Sequence, residues 1–73
     1  MFVIYPRMNE NDLRKLAAES ILMVEEWFTK NKKRRTCRVE LWYGKVVSAK
    51  RKTVAQQINK LLDETIAQEV GAE

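Results

Sequence analysis

Few residues in this 73-residue chain could carry covalent chemistry, and they are scattered. Cys37 is the only thiol, and there is no histidine to take its proton. Its place in an alternating stretch predicts a small core residue. Ser20 falls on an apolar helix face and Ser48 in a second strand, and neither has an evident base partner. Glu25 and Glu26 are sequence neighbours, as are Asp63 and Glu64. Neighbours on a helix point in different directions, so these acids predict solvated faces and not acid–base pairs. Phosphate cradles need clustered glycines, whereas Gly44 and Gly71 stand alone. One cysteine without histidine offers no zinc ligand set and no internal disulfide. The expectation is a protein with no catalytic residues, no cofactor and no metal.

Binding chemistry is concentrated in charge. The net charge is +4, but residues 30–52 hold ten basic residues and one acid, Glu40. That segment carries +9, and the flanks on either side are net acidic. The candidates for an anionic or nucleic-acid partner are Lys32, Lys33, Arg34, Arg35, Arg38, Lys50, Arg51 and Lys52, with Lys30 and Lys45 beside them. Phosphate oxygens would satisfy such a cluster and release counterions. The first basic cluster precedes one strand of a hairpin and the second ends the other strand. Both therefore abut the same hairpin end and can merge into one patch. Trp42 and Tyr43 could stack on bases, though core packing is the simpler use of both. A solvating surface is the plain alternative for the charges. No RRM-like strand motif or KH-like GxxG loop is present, so nothing here predicts sequence reading.

A second candidate surface is the apolar head: Phe2, Val3, Ile4 and Tyr5, with Arg7 at its rim. It reads either as an edge strand of the protein's own sheet or as an arm that docks on a protein partner. The third is the broad apolar face of the first helix, where Ile21, Leu22 and Met23 could support a dimer. Burial in the core explains them more economically. Acids on the polar side (Glu10, Asp12, Glu19, Glu25 and Glu26) argue against a membrane-surface helix.

The elements that must position these residues follow from periodicity. Residues 2–5 are strand formers stopped by Pro6. A helix should begin near Asn9 or Asn11, both good N-caps. Leu13, Leu16, Ala17, Ser20, Val24, Trp27 and Phe28 form its apolar face, and Asn31 is a plausible left-handed stop. Residues 36–43 alternate, with Cys37, Val39, Leu41 and Tyr43 on one side and Thr36, Arg38, Glu40 and Trp42 on the other. Gly44 and Lys45 fit a type II′ turn, pairing Tyr43 with Val46 and Trp42 with Val47. Thr53 and Gln56 match a capping box. Val54, Ile58, Leu61, Leu62, Thr65 and Ile66 then make one stripe, and Gly71 is a late stop.

These elements predict an α+β fold, (strand)–helix–β-hairpin–helix, with two helices packed on one face of a small antiparallel sheet. Residues 1–73 form one domain, with 1–7 an extended arm or edge strand and 68–73 a fraying tail. Hydrophobic residues at 45% and charged residues at 33% are globular proportions. The core is thin, and a surface is easier to supply than a deep cleft. No apolar run reaches the roughly 18 residues of a membrane span. The first six residues lack a basic leader. The expectation is a cytoplasmic monomer or weak dimer with no membrane partner.

The apolar head at residues 2–7, the basic run at 30–52 and the acidic end resemble, in length and layout, small bacteriophage transcription regulators that bind host RNA polymerase. That resemblance implies a host RNA polymerase subunit as partner, inhibition of host promoter initiation and antitermination. It also implies residence in a host bacterial cytoplasm and action by occupying a surface, with no bond made or broken.

Overall fold

A computed structural model describes residues 8–70, so the apolar head, Arg7 and Gly71 lie outside the described residues. Asn9 begins helix α1, Glu10–Lys30, and its side-chain oxygen accepts the Asp12 N–H at 2.9 Å. Glu10 and Asp12 occupy the first turn, where acids favour the helix dipole. α1 ends at Asn31 with φ −119° and ψ 66°, not in the left-handed region expected there. The Asn31 side-chain and backbone nitrogens both donate to the Trp27 carbonyl, so a side chain does the work a left-handed turn would have done.

Strands β1, Thr36–Glu40, and β2, Val46–Lys50, pair antiparallel, with Cys37 opposite Ala49 and Val39 opposite Val47. The connection differs from the expected Gly44–Lys45 turn. Tyr43 (φ 54°, ψ 32°) and Gly44 (φ 70°) are both left-handed, so the two central residues are Tyr43 and Gly44 in a type I′ arrangement. The Leu41 N–H donates to the Lys45 carbonyl at 2.7 Å, and the Lys45 N–H to the Trp42 carbonyl at 3.0 Å. Leu41 and Trp42 thus stand together opposite Lys45, which makes a bulge. The strand stops at Glu40, and Val46 pairs with Glu40 and not with Tyr43. A tyrosine tolerates the left-handed region here because its ring packs against the core and its hydroxyl accepts the Met8 N–H at 3.0 Å.

The extra residue reverses the alternation. Trp42, expected beside Thr36, Arg38 and Glu40, turns inward and is buried. Its indole N–H donates to Thr65 Oγ1 at 2.8 Å, and Thr65, wholly buried on the second helix, donates in turn to the Leu61 carbonyl. That helix, α2, spans Val54–Thr65 and continues into one wider turn, Ile66–Val70. Its expected stripe is the observed one: Val54, Ile58, Leu62 and Thr65 are buried, and Leu61 and Ile66 half-buried. The capping box does not form. Thr53 Oγ1 donates to Gln57 Oε1 instead of capping an amide.

α1 and α2 pack on each other and on one face of the hairpin. Leu13, Ala17, Val24 and Phe28 of α1 meet Val54, Ile58 and Leu62 of α2 over Ala49 and Trp42. The fold is thus α+β with two helices on one side of a two-stranded antiparallel sheet. The face of α1 is narrower than expected. Leu22 and Met23 are 67% and 62% exposed, and Leu16 is also exposed, because α2 and the hairpin cover only one flank of α1.

Thr65→Val should cost about 1–3 kcal/mol, the usual penalty for a buried N–H left unpaired. Adding Trp42→Phe should recover part of that loss, as a double-mutant cycle in urea would show. At Gly44 a Cβ would meet nothing within 4 Å, so Gly44→Ala should cost only the left-handed backbone penalty of about 1 kcal/mol. Gly44→Asn should cost less, which the same denaturation midpoints would show.

Candidate anion-binding concavity

The helix-to-strand connector and the end of β2 run side by side. The Arg51 N–H donates to the Arg35 carbonyl at 3.0 Å, extending the hairpin pairing by one step beyond Thr36 and Lys50. The Arg51 side chain then crosses to α1. Nε donates to the Arg34 carbonyl at 3.0 Å, and one terminal nitrogen donates to the carbonyls of Arg34 and Asn31, each at 2.8 Å. The guanidinium carbon lies 5.2 Å from the centre of the Phe28 ring. A cation is favoured at this place, since the last carbonyls of α1 form the negative end of its dipole.

Gln57 braces the second wall from α2. Its Oε1 accepts the Lys50 N–H at 2.6 Å, and its side-chain nitrogen donates to the Ser48 carbonyl at 3.4 Å. These backbone groups point away from β1, so the amide takes the position of a neighbouring strand's peptide unit. Sequence reasoning missed this role. The signal was present, since Gln57 lies four residues after Thr53 and begins the second turn of α2, facing back toward β2.

Between the walls, residues 32–36 and 50–53 line an open concavity of about 900 Å³. Lys32, Lys33, Arg34, Arg35, Lys50 and Lys52 are exposed, and no acid lies among the lining residues. The two basic clusters therefore form one site, as their places on the hairpin suggested. Three members of the expected band are used otherwise. Arg51 is half-buried and holds the frame together, so it positions the site and does not present a free cation. Lys30 points to Glu26 at 3.2 Å. Arg38 lies on the outer face of the hairpin, one pair beyond the rim. Trp42 is buried and Tyr43 half-buried with an engaged hydroxyl, so Trp42 offers no stacking surface and Tyr43 serves the turn. Cys37 faces Ala49 on the inner side of the sheet and is half-buried.

Such a frame can hold several phosphate or carboxylate oxygens at once on mobile lysine and arginine heads. Thr53, on the rim, is also where α2 starts, and the positive end of that helix adds to the field.

The chain matches no family model, no curated protein and no solved structure. Among the described residues, no helix is long and apolar enough to cross a membrane, and no three potential metal-ligating side chains cluster.

Arg51→Lys keeps the charge but loses the planar fork that reaches two carbonyls. It should lower stability by about 1–2 kcal/mol, within the range for charge-assisted bonds that are partly solvated. Amide exchange at Arg34 and Arg51 should accelerate more than exchange in the middle of α2.

Proposed function

We propose that this chain is a non-catalytic binding protein whose concavity grips the phosphate backbone of a nucleic acid. One observation carries the reading: six exposed cations converge on a rim free of acids, over a frame tied by Arg51. Like charges held this close repel one another, and a polyanion relieves that repulsion while releasing its own counterions. A cytoplasmic location belongs to the same proposal.

Regulation of transcription through a host RNA polymerase subunit is the second reading. Its contact residues, Phe2, Val3, Ile4, Tyr5 and Arg7, lie outside the described residues. The observation in its favour is the Met8 N–H bond to the Tyr43 hydroxyl. It anchors the chain just after the head at the hairpin tip, the end opposite the concavity. Met8 and the concavity thus lie at opposite ends of the hairpin.

Binding to a fluorescent duplex should weaken with salt along a log–log slope approaching about −5, one phosphate for each of the six cations. Lys32→Ala with Lys33→Ala should reduce the slope by about 2. Removal of residues 1–5 should leave it unchanged. A slope shallower than about −1 would exclude the phosphate reading. Retention of RNA polymerase from a nuclease-treated bacterial lysate, lost on removing residues 1–5, would move the function to the second reading.

A further inference from the structure

We propose that the outer face of the β1–β2 ribbon enters the major groove of B-form DNA and reads bases there, while the concavity holds the adjoining backbone. The inference rests on the concavity being a phosphate site. Among the described residues, α1 and α2 pack on the inner face of the hairpin and not on its outer face, where Glu40 at the tip is already engaged. The outer side chains come in the cross-strand pairs Thr36 with Lys50, Arg38 with Ser48 and Glu40 with Val46, and all six are exposed. Thr36 and Lys50 also line the concavity, so the cationic surface runs without a break from the connector onto the ribbon.

The chemistry of that face matches base edges. Arg38 lies at its centre, and among the described residues its side chain makes no hydrogen bond or ion pair. A guanidinium in this position can donate two bonds to the O6 and N7 acceptors of guanine. The hydroxyls of Thr36 and Ser48 both donate and accept. Val46 offers an apolar surface of the kind that meets a thymine methyl group.

Shape selects the kind of nucleic acid. Two strands lie about 4.8 Å apart, and five residues extend about 17 Å. That width fits a major groove about 12 Å across, and that length covers about five base pairs. The major groove of A-form RNA is too deep and narrow for side chains to read. Single strands are held by stacking on exposed aromatic rings. Among the described residues, Phe28 and Trp42 are buried, and Trp27 and Tyr43 pack against the core.

The test uses the full chain and a pool of random-sequence DNA duplexes, retained and sequenced over successive rounds. The expected result is enrichment of a guanine-containing motif about five base pairs long. The enriched duplex should bind about tenfold or more tighter than the starting pool. Arg38→Ala should erase that preference while changing affinity for the starting pool by no more than about twofold. Arg38 is exposed, so the variant should keep the parent circular dichroism spectrum. Lys32→Ala with Lys33→Ala should weaken the selected and starting pools equally. If no sequence is enriched, or if an RNA duplex or a single strand binds as tightly as the DNA duplex, the ribbon inference is overturned and the concavity keeps its role. If no nucleic acid binds at low salt, the reading of the concavity falls with it.

Discussion

The Arg51 guanidinium spends three hydrogen bonds on the carbonyls of Asn31 and Arg34 and rests on the Phe28 ring. It thereby joins the C-terminal end of α1, the connector after it and the end of β2. These are segments that sequence separation would leave independent. Their other side chains are mostly cations that repel one another, and nothing apolar in the connector would hold it down. A single charged group thus brings a like-charged surface together. It does so because its partners are backbone carbonyls at the negative end of a helix, where a cation is welcome.

The interior follows the same economy. A two-stranded hairpin is marginal in water unless one face is covered. Here, among the described residues, α1 and α2 cover that face with seven buried apolar side chains over Ala49 and Trp42. Among the described residues the core holds a polar link, Trp42 to Thr65, that is fully satisfied. It ties the bulged end of the hairpin to the last turn of α2. Arg51 closes the opposite end of the hairpin, and Gln57 covers the free edge of β2 between them. The ribbon is therefore held at both ends and along one edge, while Thr36, Arg38, Ser48 and Lys50 on its outer face are exposed.

α1 presents a different surface, with Leu16, Leu22 and Met23 exposed amid Glu19, Glu25 and Glu26. Burying these three would require a third packing layer. A helix pair over one hairpin does not provide one.

Much of this was legible in the sequence. The stripe of α2 follows from 3.6-residue periodicity alone. The inner positions Cys37 and Val39 follow from two-residue alternation, because those periods are local properties of the backbone. The segregation of charge into residues 30–52 needed only counting. The convergence of its two clusters followed from the order helix, strand, turn, strand. Tertiary structure decided the rest. The bulge at Leu41 and Trp42 is one extra residue among many, and only the buried place for the indole beside Thr65 selects it. Gln57 in place of Gln56 at the start of α2 depends on where the edge of β2 lies. Arg51 reads in sequence like any other cation of the band. Its difference lies in the carbonyls it reaches, about twenty residues back along the chain, and a distance of that kind is set only when the chain has folded.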